Sequence, residues 1–192
     1  MKKMCIILLI FGTYKGFSQT KFSFRSMEKN EINVSMKMGA GVLELEGNKV
    51  TGNSKSVNVS FNQKLGDVFY LSAGLGHTRF EFNNVDYLLT YDFIQIPVLL
   101  KTDLVFLKET EENNKGYFTV GLGLSPNYLY SVNDDFAKGW NVGYISNFAF
   151  RYELSDLLTS SIGIDNSFDI SKIDNLKMRN NTSFFISIGC KF

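Results

Sequence analysis

The sequence is poor in the residues that most often carry chemistry. Its 192 residues include one histidine, two cysteines and two prolines. One imidazole, His77, with scattered carboxylates gives no metal-ligand spacing. Gly121-x-Gly123 is not followed by a helical pattern, so it is not a phosphate loop, and no cofactor is implied. Charge of one sign is also missing: 20 Lys+Arg stand against 19 Asp+Glu, a net of +1, which excludes the basic footprint of a nucleic-acid binder. No window approaches about 18 uncharged apolar residues, so no transmembrane helix is expected. A closed β-barrel remains open to such a chain, because it pairs its own backbone groups.

Aromatic residues and glycine are plentiful: Phe 18, Tyr 9 and Gly 16. Together with scarce proline they suit a chain that is mostly strand. The stretch Gly116 to Tyr130 shows how. Phe118, Val120, Leu122, Leu124, Tyr128 and Tyr130 share one parity, and Tyr117, Thr119, Gly121, Gly123, Ser125 and Asn127 the other. A strand turns alternate side chains to opposite faces, so one face is apolar and the other small or polar. Rings near both ends with aliphatics between them are the layout of a strand crossing a bilayer.

The chain begins with Lys2, Lys3 and the apolar run Met4–Phe11, followed by small residues at Gly16 and Ser18. This reads as a secretory signal over residues 1–18, cut after Ser18, with a barrel domain over 19–192. Cys5 leaves with the signal, and Cys190 is then alone, so no intrachain disulfide is expected. Thr20–Glu31 is read as a polar periplasmic lead-in. The alternating pattern returns in Ile32–Leu45, Lys55–Leu65, Val68–Phe82, Tyr87–Leu104, Gly116–Tyr130, Gly139–Leu154, Leu157–Ile170 and a last strand ending at Phe192. Pro97 implies a bulge or break in the fourth. Beyond Gly76 the third loses its parity at His77, Arg79 and Glu81, through a bulge or, the reading favoured, because the strand has left the membrane.

Eight strands with short connections predict an all-β fold, an eight-stranded antiparallel transmembrane β-barrel in an up-and-down meander. The polar face carries Gly, Ser, Asn and Thr with few charges, which suits a crowded lumen better than a solvated wall. The apolar face is therefore placed outward. Phe192 resembles the terminal signal by which the barrel-insertion machinery recognises bacterial outer-membrane proteins. With both termini periplasmic, Glu46–Asn53, Asn83–Asp86, Ser131–Lys138 and Ser171–Asn181 are outward loops. Leu65–Asp67, Lys108–Lys115 and Glu153–Asp156 are periplasmic turns, the second unusually long.

Three segments carry a family resemblance: Leu71–Gly76 (LSAGLG), Tyr91–Lys101 (YDFIQIPVLLK) and Gly116–Gly123 (GYFTVGLG), with Met38–Gly41 as a weaker fourth. They resemble the outer-membrane β-barrel family that includes PorT-like proteins, most clearly in the aromatic-led Ile96-Pro97 strand. The resemblance implies an eight-stranded outer-membrane barrel. Most members have no assigned activity, and there are no family catalytic residues to carry over.

Inward charges are expected at Lys37, Lys64, Lys101, Arg151 and Lys191, meeting Glu153, Asp165 and Asp169 as ion pairs that fill the lumen. His77, with Glu81 and Asp86 nearby, is the only residue that could serve an acyl-transfer enzyme, and Ser72 lies too far along the strand to be its hydroxyl. The expected function is that of a small barrel in the outer membrane of a Gram-negative bacterium, embedded in outer-membrane lipid, with no catalytic, metal or cofactor site. Its role is structural or interactive, with contacts made by outward loops. The alternatives are a lipid-modifying enzyme, a narrow pore or small-ligand binder, and an accessory of a secretion machine.

Overall fold

The structure is a computed structural model describing residues 21–45, 47–83, 88–107, 116–132 and 138–192. The segment read as a signal lies outside the described residues, as do Asp86 and the Lys108–Lys115 run. Among the described residues there are ten strands: β1 (Lys21–Arg25), β2 (Glu31–Leu45), β3 (Asn48–Lys64), β4 (Tyr70–Asn83), β5 (Leu88–Gln95), β6 (Val98–Leu107), β7 (Gly116–Val132), β8 (Gly139–Glu153), β9 (Leu158–Asp169) and β10 (Leu176–Lys191). All pairings are antiparallel. β10 returns to β2, from Lys191 opposite Glu31 to Leu176 opposite Leu45, and closes the ring.

Ten strands make eight walls, for two separate reasons. Pro97 has no N–H to give to a ladder. It divides the expected fourth strand into β5 and β6, which together fill one wall between β4 and β7. The register does not shift there: Gln95 faces Gly76 and Val98 faces Ala73. The gap is bridged by Gly74 N–H donating to the Pro97 carbonyl at 2.9 Å and Ile96 N–H donating to that of Pro126 at 2.8 Å. The second reason corrects the expected lead-in. Lys21–Arg25 is a strand, paired with Leu107–Asp103 of β6. β4 pairs with β6 only over Val98–Lys101, so β1 supplies the partner for the lower half of β6. Ser26 anchors it, its N–H donating to the Asp67 carbonyl at 2.7 Å and its hydroxyl to that of Phe69 at 2.8 Å.

Two expected loops are shorter than read. Asn48–Asn53 belongs to β3, with Leu45 paired to Asn48 and Gly47 taking φ +85°, a conformation glycine adopts without Cβ strain. Leu176–Asn181 belongs to β10. We call the end with Glu31 and Phe192 the lower end and the other the upper.

The faces are as expected over most of the wall. Ile32, Val34, Met36, Leu75, Leu122, Leu124, Phe148, Ile162, Ile164, Ile186 and Ile188 are exposed outward, while Asn33, Ser35, Asn58, Asn62, Ser72, Thr119, Asn147 and Ser183 are buried inward. So wide an exposed apolar belt is far more than a soluble monomer leaves bare. At the upper end the polarity inverts. β4 runs to Asn83 with unbroken register against β3, so no bulge explains His77, Arg79 and Glu81. Outward positions turn charged while inward positions turn apolar: Leu43, Phe80, Phe82, Leu89, Tyr91, Phe93, Leu129, Leu176 and Met178 pack into one buried cluster. Phe80 meets Phe93 edge-on with ring centroids 5.7 Å apart, and Phe82 meets Tyr91 at 5.8 Å. The strands continue past the belt as an ordinary apolar-cored barrel. Two bulges lie in this upper part, at Tyr130 of β7 and Arg179 of β10.

Close packing of the walls sets a test. A Cβ on Gly123 would fall on the Val98 carbonyl and Leu99 Cα, both backbone, while one on Gly66 would meet nothing within 4 Å. Gly123→Ala is expected to destabilise the barrel by about 1–3 kcal/mol and Gly66→Ala to leave it within about 0.5 kcal/mol. Urea unfolding followed by Trp140 fluorescence measures both, and equal midpoints would contradict the packing described.

Candidate functional site

The lumen gathers most of the buried charge, and strand parity puts it there. Glu31, Asn33, Ser35 and Lys37 alternate inward along β2, as do Leu99, Lys101 and Asp103 along β6 and Asn147, Ala149 and Arg151 along β8. At the lower end these meet in one cluster. Arg151 donates from Nη1 to Asp103 Oδ2 at 2.8 Å and from Nη2 to Glu31 Oε2 at 2.7 Å. Asp103 Oδ1 also accepts from the Thr119 hydroxyl at 2.6 Å and the Tyr70 hydroxyl at 3.1 Å. All five side chains are buried. One guanidinium thus serves two carboxylates, the fork geometry that favours arginine over lysine. Below it, the Arg25 guanidinium lies 4.2 Å from the centre of the Tyr117 ring, and Met27 is buried beside the mouth.

Further up, Lys37 pairs with Asp165, whose other oxygen accepts from Asn147 Nδ2. Lys191 pairs with Glu153 at 3.3 Å. Lys37–Asp165 and Lys191–Glu153 are therefore lumen ion pairs among the residues the sequence predicts; Arg151 is an inward charge as expected, but its partners are Glu31 and Asp103 rather than the expected carboxylates. Lys64 is not a lumen charge: it is the last residue of β3, still paired with Tyr70 but exposed at the lower rim, 3.8 Å from Asp67. Asp169 makes no ion pair among the described residues and accepts the Met178 N–H at 2.7 Å. Lys101 faces the lumen with no ion pair among the described residues, beside Asn58 and Asn62, whose amide oxygens also lack protein partners. They border a cavity of about 60 Å³, room for a few waters to satisfy such groups. A second cavity of about 30 Å³ lies above it. Lys37 and Asp165 border both, so their ion pair stands between them. The apolar cluster of the upper end lies over the second.

His77 is the other residue the sequence singles out. It is outward, and Ser72 is buried on the inward face. Glu81 is taken by Lys55, Nζ to Oε2 at 3.1 Å. The carboxylate brought to His77 is Asp92, with Nε2 to Oδ1 at 3.2 Å, and Arg79 donates to the same carboxylate from Nε at 2.8 Å and Nη2 at 3.2 Å. Asp92 was not legible as a partner because it sits on the neighbouring strand, opposite Arg79. Glu31 and Asp103 were also missed, although each shares the inward parity of residues read as lumenal. No hydroxyl completes a triad around His77 among the described residues, and none of them group as three or more metal-ligating side chains.

No family model matches the chain, and no curated protein matches it. Solved structures do. Neisserial surface protein A is similar over 85% of this chain and 97% of its own, with a TM-score of 0.59 and 14% identity. The N-terminal β-barrel domain of Pseudomonas aeruginosa OprF is similar over 85% of this chain and 98% of its own, with a TM-score of 0.51 and 12% identity. The chain has the fold of a small outer-membrane β-barrel.

Breaking the lower cluster tests its role. Arg151→Met leaves Glu31 and Asp103 buried without their cation and is expected to cost about 3–5 kcal/mol. The triple variant Arg151→Met, Glu31→Gln, Asp103→Asn is expected to recover much of that loss. A triple variant no more stable than the single one in urea unfolding would show that the cluster is not held by charge balance.

Proposed function

We propose that this chain is a small barrel of the Gram-negative outer membrane with a closed lumen and a structural or interaction role. The observation that carries this is the pairing of an outward apolar belt with a lumen blocked along its length. From below upward stand the Arg151 cluster, the Lys37–Asp165 pair and the apolar packing of Phe80, Phe82, Tyr91 and Phe93. Water fits in separate cavities between these blocks, which disfavours a pore. No side-chain hydroxyl hydrogen-bonds to His77 among the described residues, its one ring neighbour there being Tyr130 with centroids 6.0 Å apart, which disfavours the acyl-transfer alternative.

Within outer-membrane barrels, the Tyr91–Lys101 segment favours a place near the PorT-like group. Cleavage after Ser18 would deliver the chain to the periplasm. Phe192, exposed at the lower rim and stacked against Phe61 with centroids 6.1 Å apart, would present the terminal signal for insertion. Contacts with a protein partner would then fall to the upper surface, where the strands stand clear of the belt.

The mature chain folded into detergent micelles is expected to run at a different gel mobility before and after boiling, with strand-rich circular dichroism. In planar bilayers it is expected to give no steady conductance. A chain monomeric and soluble without detergent would overturn the membrane reading. Regular single-channel steps would overturn the closed lumen.

A further inference from the structure

The upper edge of the belt on β3 and β4 carries a feature the closed-lumen role does not use. Along β3, outward Phe61, Val59 and Val57 give way to Lys55. Along β4, outward Ala73 and Leu75 give way to His77 and Arg79. The register sets Lys55 opposite Arg79 and Val57 opposite His77. We propose that Lys55, His77 and Arg79 form a docking site for the phosphate-bearing headgroup of a membrane lipid. Its acyl chains would lie on the exposed Val57, Val59 and Leu75 below, with Met38 opposite Lys55 at the same level. The inference rests on the outer-membrane reading and adds a ligand class to it.

Three observations point to an anionic headgroup. The cationic groups stand one step above the apolar belt, where hydrocarbon gives way to headgroups. The exposed part of the cluster is basic: the side chains of Lys55, Arg79 and His77 are 60%, 49% and 46% exposed, against 31% for Glu81 and 8% for Asp92. Asp92 lies beneath Arg79 and His77 and orients both. Donors also remain. Arg79 spends Nε and Nη2 on Asp92, leaving Nη1, and Lys55 has only Glu81 as a partner. A guanidinium and an ammonium side by side supply the charge-assisted hydrogen bonds that phosphate oxygens accept. Elsewhere on the upper edge, β7 and β8 present the aromatic pair Tyr128 and Trp140.

The test uses the mature chain, folded in micelles and stripped of lipid, with bound lipid counted by native mass spectrometry. Phosphatidic acid and phosphatidylcholine of identical chains are the probes. The wild type is expected to retain phosphatidic acid about tenfold better. Lys55→Gln with Arg79→Gln is expected to abolish that preference while the heat-dependent mobility shift persists. Glu81→Gln, which removes a repelling charge and releases Lys55 from its ion pair, is expected to strengthen it. Equal retention of the two lipids by the wild type, or an unchanged preference in the double variant, would overturn the site. Displacement by equimolar inorganic phosphate would overturn the lipid as its occupant. Loss of the mobility shift in the wild type would instead bring down the membrane reading, and the inference with it.

Discussion

Closure of the backbone ladder is the constraint on which the rest of this structure depends. In hydrocarbon a peptide group has no water to turn to, so each wall must pair with two neighbours. The two exceptional features of the chain are accommodations to that rule. Pro97 removes a donor from mid-wall, and flanking bonds from Gly74 and Ile96 hold the register across it. β4 pairs with only the first residues of β6, and the short β1 takes up the rest. A segment of five residues would have little stability as an isolated strand. It is ordered because β6 offers it an open edge and Ser26 pins its end.

Closing eight walls makes a narrow interior, and its width decides what can occupy it. The small inward residues are steric requirements: a Cβ on Gly39 would collide with the Thr182 carbonyl, and one on Gly163 with that of Phe148. The space that remains is filled by long charged side chains reaching across from different strands. Arg151 of β8 meets Glu31 of β2 and Asp103 of β6, elements that share no ladder. Such buried pairs contribute little net stability against an apolar alternative, yet leaving one partner unpaired is costly. The cluster therefore specifies which walls face one another more than it stabilises any one of them.

Much of this was legible in the sequence, because period-two alternation is local. Gly116–Tyr130 declares both faces from its own residues, and so do β2, β8 and β10. Pro97 announced its break for a chemical reason that needs no context. What escaped was non-local. In Lys21–Arg25, Phe22 and Phe24 alternate with Lys21, Ser23 and Arg25, but five residues are too short a pattern to separate a strand from a polar lead-in until β6 is beside it. Asp92 becomes the partner of His77 only through the β4–β5 register, and the Arg179 bulge reverses the parity of β10 in a way alternation cannot foresee. Lys64 has inward parity, but it ends β3 at the open lower rim, where that face meets solvent and the adjacent turn rather than a lumen partner.

The change of polarity along β4 joins these points. Leu75, His77, Arg79 and Glu81 share one face, and Ser72, Thr78, Phe80 and Phe82 the other. A strand with continuous register cannot rotate its faces, so the surroundings must change instead. Below, the outside is hydrocarbon and the inside holds paired charge. Above, charge returns to the outside and the inside dries into an apolar cluster. Each arrangement follows the same rule, that apolar surface leaves water and buried charge is met by a partner or, as at Lys101, by a cavity with room for water. The boundary between them therefore marks the membrane surface on the protein itself. It passes between Leu75 and Arg79 on β4 and between Val57 and Lys55 on β3. The proposed headgroup site draws on that boundary: Lys55 and Arg79 stand beside each other just above it, whereas the same pair further up the strands would meet only solvent.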